Sequence, residues 1–158
     1  MKELTNTPED LKELKQVLLH PEIFPYTTDD TFNDPEEYPI ETFLENPNIV
    51  KCIQSDDKTA IFIFTRHNGI MWEVHTNILP EGRGKTAIEN AENAAIYMFH
   101  KYPEHCKKII TFIPEYNIRA KALAHNIMNP EGVLSKSFQK NGKLFDLYVY
   151  GLNQEGVI

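Results

Sequence analysis

The sequence is short of sulfur, of long apolar runs and of positive charge, and each shortage removes a class of protein. Only two cysteines, Cys52 and Cys106, occur among 158 residues, far apart and outside any Cys-x-x-Cys pairing. That excludes a disulfide scaffold and a zinc-ribbon spacing, and nothing points to an oxidising compartment. Cys52 falls in an expected strand and reads as core. Cys106 follows His105 at an expected loop, where His100 and His105 read as a solvated helix end; no metal is expected. No apolar stretch approaches the roughly 20 residues that a bilayer span needs. The opening Met1-Lys2-Glu3-Leu4-Thr5 leads into a charged amphipathic segment without a secretory signal, so a cytoplasmic protein with no membrane partner is expected. Sixteen Lys and Arg against 23 Asp and Glu leave a net charge of −7, which argues against nucleic acid as a partner.

What is present fits a globular chain. With 41% hydrophobic and 25% charged residues, 158 residues suffice for one domain with a sizeable core. Thr7-Pro8-Glu9-Asp10 opens a helix with a Thr cap, a Pro in the first turn and two acids at the positive dipole end. Leu11, Leu14, Val17 and Leu18 form its apolar face, and it should end near His20-Pro21. Residues 21–39 are rich in proline and acid but interleave Ile23, Phe24, Tyr26, Phe32 and Tyr38, so this segment should pack on the body and cover a site. A short helix is expected over 40–45.

Three strands then follow, at 49–54, 59–66 and 70–78, the last two joined at Asn68-Gly69 as a hairpin. An Ala-rich helix over 86–101, a buried strand over 108–113, a helix beginning at Pro114-Glu115-Tyr116-Asn117 and a closing hairpin (133–139 with 143–150) complete the order. Between the third strand and the Ala-rich helix lies Leu79-Pro80-Glu81-Gly82-Arg83-Gly84-Lys85-Thr86-Ala87. A strand, a turn with two glycines and two cations, then a helix N-terminus builds an anion cradle. N–H groups without intrahelical partners point at the anion, and the helix dipole adds to the attraction. A phosphorylated ligand is expected there.

This order resembles the GNAT superfamily of N-acetyltransferases, small phage-encoded members among them. The family's pyrophosphate motif is Arg/Gln-x-x-Gly-x-Gly/Ala after a proline; Pro80 through Lys85 match its entry, with Arg83 leading, while the later small positions fall on Thr86 and Ile88. Ile113-Pro114-Glu115-Tyr116-Asn117-Ile118-Arg119-Ala120 is similar to the family's junction carrying a cofactor-contacting Asn, and residues 138–148 to its terminal hairpin. The resemblance implies a three-layer α+β fold. Its mixed, mostly antiparallel sheet of six or seven strands is flanked by helices and splays between the fourth and fifth strands. Residues 46–151 would form the cofactor-binding core, and 1–45 the N-terminal helices and acidic loop. It further implies acetyl-CoA as co-substrate, held along its pantetheine arm by the backbone of Thr76, Asn77 and Ile78. Its pyrophosphate would be held by Arg83, Gly84, Lys85, Thr86 and Ala87, with Asn117 also in contact.

Acetyl transfer to an amine needs a base, an oxyanion donor and an exit for the thiolate. Glu73 and His75, two apart on a strand, share a face and are the base candidates, and Trp72 should face the other side and pack under a helix. Many family members carry a Tyr seven residues after the cofactor Asn to protonate the thiolate; here that position is Ala124, followed by His125, with Tyr116 as another hydroxyl nearby. The acceptor is expected to be a small-molecule or peptide amine. Asp29, Asp30, Asp34, Glu36 and Glu37 would attract its charge, and Tyr26 or Phe32 would offer it a ring face. The closing hairpin has edges that can pair with a second copy in a homodimer. Thr86, Ile88 and Ala124 leave two further readings, a non-catalytic interaction or phage assembly protein of the same fold and an acyl-CoA sensor.

Overall fold

The computed structural model describes residues 1–157. In chain order the elements are β1 (Lys2–Glu3), α1 (Pro8–Leu18), α2 (Phe24–Thr27), β2 (Val50–Gln54), β3 (Ala60–Arg66) and β4 (Met71–Ile78). Then come α3 (Lys85–Lys101), β5 (Lys108–Pro114), α4 (Ile118–Ile127), β6 (Asn129–Lys140) and β7 (Lys143–Asn153), with short 3-10 turns between. All seven strands join one sheet in the order β1-β2-β3-β4-β5-β7-β6. Every neighbouring pair is antiparallel except β4–β5.

Both faces of the sheet are covered. Along β3, Phe62 and Phe64 point to one face and Ile61 and Ile63 to the other, so the strand reads as an unbroken apolar run. The first face packs Phe62, Phe64, Trp72, Val74, Ile109 and Ile113 against Ala91, Ala94, Ala95 and Met98 of α3 and Ala124 of α4. The second packs Cys52, Ile61 and Ile63 against Leu14, Val17 and Leu18 of α1 and against Ile40 and Leu44. Trp72 is buried as expected, its indole N–H donating to His105 O at 2.7 Å. α1 begins as expected: Thr7 Oγ1 accepts from Asp10 N, with Pro8 in the first turn.

Several local expectations change. β1 was not anticipated; it is anchored by Glu3, which accepts from Tyr102 Oη at 2.6 Å, Lys101 Nζ at 3.2 Å and Lys51 Nζ at 3.3 Å. The 40–45 helix is a 3-10 turn, Ile40–Leu44, and the helix expected from Pro114 begins at Ile118, because Asn117 Oδ1 caps it by accepting from Ala120 N. The closing strands are longer than expected, and β6 contains Pro130. An edge strand tolerates it, and the register shifts between Pro130 and Gly132. Cys106 lies in the expected loop, between α3 and β5, but is fully buried there, and Cys52 is buried too. Both thiols are free, and burial pushes each up to about 12.

The parallel pair positions the site. β4 and β5 are in register only from Met71–Lys108 to Glu73–Ile110. Beyond it β4 stays paired with β3 to Ile78, and β5 with β7 to Pro114. The two strands therefore diverge, each held by its outer neighbour.

Candidate functional site

At the divergence, Thr111 Oγ1 donates to Val74 O at 3.0 Å. Ile70 O accepts from Lys107 N and Lys108 N on the same side, while Leu79 N donates to Thr59 O on the β3 side. Successive residues of a strand turn their backbone groups to opposite sides. Thr76 and Ile78, in phase with Ile70 and Val74, thus turn theirs toward the gap, and Asn77 turns toward β3. Asn77 is also buried, its amide donating to Ile61 O and His75 O at 3.3 Å. The sequence-based placement of Asn77 on a ligand is corrected accordingly: its backbone and side chain are both committed inside the sheet.

Below the gap the chain forms the expected cradle. Pro80–Gly82 makes a 3-10 turn, with Gly82 N bonded to Leu79 O and Arg83 N to Pro80 O. Gly84 is the cap of α3 at φ +78°, ψ −139°, a conformation that L-residues rarely adopt. Gly82 is required for a different reason, since a Cβ there would lie 2.3 Å from Thr59 Oγ1. Thr59 is itself held by Asp57, whose carboxylate also receives Ser55 Oγ, Thr59 N and Asn90 Nδ2 of α3. These bonds, the Ser55 hydroxyl foremost, hold Asp57 down at about 2. The N–H groups left without backbone partners are those of Gly84, Lys85 and Thr86. Ala87 N is turned back to Gly84 O at 3.1 Å and Arg83 N to Pro80 O at 3.3 Å, which narrows the expected set of five amides to three.

A cavity of about 550 Å³ opens beside this cradle, bounded by Thr76, Ile78, Arg83, Gly84, Ala87, Ile88, Asn117, Arg119 and Leu123. Arg83 reaches Glu22 Oε1 across it at 3.5 Å. Lys85 and Thr86 do not line it, so Thr86 occupies no cavity space, and Ile88 forms wall without closing it. A second cavity, about 250 Å³, adjoins it through Tyr26, Thr27, Thr76, Asn117, Ala120 and Leu123, which line both. Glu73 and His75 lie on the second cavity, with Ala124 in its wall.

The Glu73 carboxylate is flanked on both sides. His67 Nε2 lies 2.7 Å from Oε2 and His75 Nε2 3.2 Å from Oε1. The Glu73–His75 pairing follows the strand spacing as expected. His67 was missed. Its signal was the hairpin register: His67 N donates to Met71 O, which sets its side chain diagonal to Glu73 on the same face. Arg119 was also missed, in the first turn of α4, two residues after the Asn117 cap. Among the described residues no cluster of His, Cys, Asp or Glu could hold a metal ion, and no helix is long and apolar enough to cross a membrane.

Neither of the two other hydroxyl or imidazole candidates lines the smaller cavity that holds Glu73. His125 is exposed on α4 and pairs with Tyr150 Oη at 3.0 Å, lining neither cavity. The Tyr116 ring lines the larger cavity, but its hydroxyl is buried without a partner and its ring packs on Phe145 at 4.7 Å and Phe138 at 6.2 Å.

The sequence matches no family model and no curated protein. The fold does resemble solved structures. The spermidine N-acetyltransferase of Vibrio cholerae in complex with CoA and spermine superposes with a TM-score of 0.72 at 19% identity, covering 94% of this chain and 92% of the other. A chimera of that Vibrio cholerae enzyme and hSSAT gives 0.74 at 18% identity and 99% of each chain. An N-acetyltransferase of Staphylococcus aureus Mu50 gives 0.72 at 15% identity, covering 98% and 96%. This chain has the GNAT fold. Within that fold the divergence of β4 and β5, the α3 cradle and the Asn117 cap lie in the order the sequence resemblance implied. Ala124, where the sequence resemblance implies a tyrosine, lies in the wall of the smaller cavity.

Proposed function

We propose that this protein is an acetyl-CoA-dependent N-acetyltransferase that transfers an acetyl group directly to an amine. The observation that carries the reading is the continuous cleft between the splayed strands, with Arg83 and the Gly84 cap of α3 at one end and Glu73 at the other. A derivative of the fold that had given up catalysis could fill this space; here Ile88 and the aromatic residues leave it open.

The residues fit the co-substrate as the fold would use it. Gly84, Lys85 and Thr86 N–H groups, with Arg83, hold the pyrophosphate; Arg83 exchanges its long contact to Glu22 for the stronger charge. Ala87 lines the cradle floor. The backbone of Thr76 and Ile78 pairs with the pantetheine amides as an added strand. Asn117 keeps Oδ1 on the α4 cap and offers its amide N–H to the same ligand. Bound there, acetyl-CoA supplies the thioester. Glu73, aided by His75, accepts the amine proton, and a cleft-facing N–H of β4 donates to the carbonyl oxygen. With Ala124 in place of a tyrosine, the departing sulfur takes its proton from solvent.

In this reading residues 46–151 carry the co-substrate and residues 1–45 contribute Tyr26 and Thr27 to the acceptor end, all within one domain. The likeness to the Vibrio cholerae enzyme brings polyamines forward as acceptors to be tried. A homodimer through the edge strand β6 accounts for the exposure of Val133 and Leu134 there and of Leu144 on β7; light scattering on the eluting protein distinguishes one copy from two.

The decisive assay is release of CoA thiol from acetyl-CoA on addition of amines. It is read with a thiol reagent, which the two buried protein cysteines do not confuse. Turnover that falls by about a hundredfold or more in Glu73→Gln supports the reading. Folded protein that releases no thiol with any amine, or a Glu73→Gln variant with unchanged turnover, sinks it.

A further inference from the structure

Resting on the transferase reading, the acceptor end of the cleft is specific about what it can take. Three of the five acids expected to attract a cationic amine are committed elsewhere. Asp29 Oδ1 accepts from Thr31 N at 2.8 Å, and Asp34 Oδ1 from Glu36 N at 2.9 Å. Asp30 uses both oxygens to hold the tip of the β6–β7 hairpin, accepting from Asn141 N at 2.7 Å and Gly142 N at 2.9 Å. None of Asp29, Asp30, Asp34, Glu36 or Glu37 lines either cavity. The segment's contribution to the site is Tyr26 and Thr27.

One carboxylate, Glu73, lines the smaller cavity, and both its oxygens already face imidazoles. Around it the acceptor-side wall is Phe112, Phe138, Leu147 and Tyr26. A single ammonium can approach Glu73, lose a proton there and react. A second ammonium farther along the same molecule would leave water to face rings and methyl groups with no counter-charge, a costly transfer. An apolar substituent in the same place is favoured in proportion to the area it removes from water.

We infer that the acceptor is a monoamine whose remaining part is apolar, aryl or aliphatic, and not a polyamine. The recognition is complementary: Glu73 with its two imidazoles reads the amine, and the Phe112–Phe138–Leu147 wall reads the apolar part. This differs from what the likeness to a spermidine acetyltransferase brings forward, and the difference lies in side chains, which fold similarity does not fix.

The test compares kcat/KM for n-hexylamine, 1,6-diaminohexane, phenethylamine and spermidine on the full-length protein, with acetyl-CoA binding measured separately by calorimetry. Hexylamine and diaminohexane match in length and differ by the terminal charge. The expected result is at least about a tenfold preference for hexylamine over diaminohexane and for phenethylamine over spermidine, the scale at which an apolar pocket discriminates. Leu147→Glu should shift the hexylamine-to-diaminohexane ratio toward the diamine while acetyl-CoA binding reports that the variant is folded. Equal or better use of diaminohexane and spermidine by the wild type overturns this inference and leaves the transferase reading standing. An unchanged ratio in a folded Leu147→Glu variant also overturns it. Acetyl-CoA binding with no transfer to any of the four overturns this inference, and the transferase reading falls with it only when no other amine releases thiol either.

Discussion

Replacing Gly84 with alanine puts a Cβ on a residue held at φ +78°, ψ −139°. There is space for the added atom, because nothing lies within 4 Å of where it would sit. The whole penalty is therefore backbone strain, of order 1–3 kcal/mol for an L-residue held in so sparse a region. That strain has two places to appear. If the cradle keeps its shape, the protein loses stability, about 2–4 °C in Tm for each kcal/mol in a chain of this length. If the cradle relaxes when empty, the cost falls on acetyl-CoA binding, about tenfold in Kd for each 1.4 kcal/mol. Melting by calorimetry and binding by titration together recover the total, which should reach at least about 1 kcal/mol. Gly82→Ala gives the contrasting case, a clash and not a strain, since its Cβ would meet Thr59 Oγ1 at 2.3 Å and Thr59 Cβ at 2.5 Å. Its cost of about 1–3 kcal/mol should be partly relieved by Thr59→Gly, whereas the Gly84→Ala cost should not be. A Gly84→Ala protein with unchanged Tm and unchanged Kd would refute the reasoning.

Three further outcomes follow from the packing. Glu3→Ala leaves Lys51, 9% exposed and seated 4.0 Å from the Tyr102 ring centroid, without its carboxylate. The loss should be about 3 kcal/mol, seen as roughly 6–12 °C in Tm, with most of it recovered in Glu3→Ala/Lys51→Met. Asp57 titrates near 2 when folded against an ordinary 3.8, so its contribution is complete above about pH 4 and is lost as pH falls through about 2. Because Asp57 is exposed, solvent screening reduces that contribution to about 1 kcal/mol; Asp57→Asn should lower the urea midpoint at pH 7 and converge on the wild type only as pH falls below about 2. Cys52 and Cys106, buried with thiols pushed up to about 12, should be silent to a thiol reagent in the native protein and titrate as two after denaturation. Rapid modification of either in the folded state would contradict their burial.

The parts of the fold that could be read in the sequence are those whose period is set by burial. Ile61, Phe62, Ile63 and Phe64 announce a strand covered on both faces, and Thr7-Pro8 with Leu14, Val17 and Leu18 announces a capped amphipathic helix. β1 could not be read, because two residues carry no period; Glu3 is placed by Lys51, Lys101 and Tyr102, up to 99 positions away in the chain. The same division runs through the site. Glu73 and His75 were visible from the two-residue repeat, and Gly82 and Gly84 from the turn they must make. Asn77 was misplaced because the side its backbone faces is settled by the β3 register and by Thr111, which its own neighbours do not reveal. The acids of residues 21–39 read as a charged lure, yet Asp29, Asp30 and Asp34 are turn and hairpin caps, a use to which short carboxylates are equally suited. His67 joined the site only once the hairpin register was known.

The central claim is that the cleft between β4 and β5 holds acetyl-CoA with its pyrophosphate on the α3 cradle. Calorimetric titration of acetyl-CoA into the wild type, Arg83→Ala and Gly84→Glu tests it most directly. The account predicts micromolar binding by the wild type, weakened in Arg83→Ala and abolished in Gly84→Glu, where a carboxylate and a strained backbone both oppose the phosphates. No heat of binding to the folded wild type, or equal affinity in all three proteins, would contradict it.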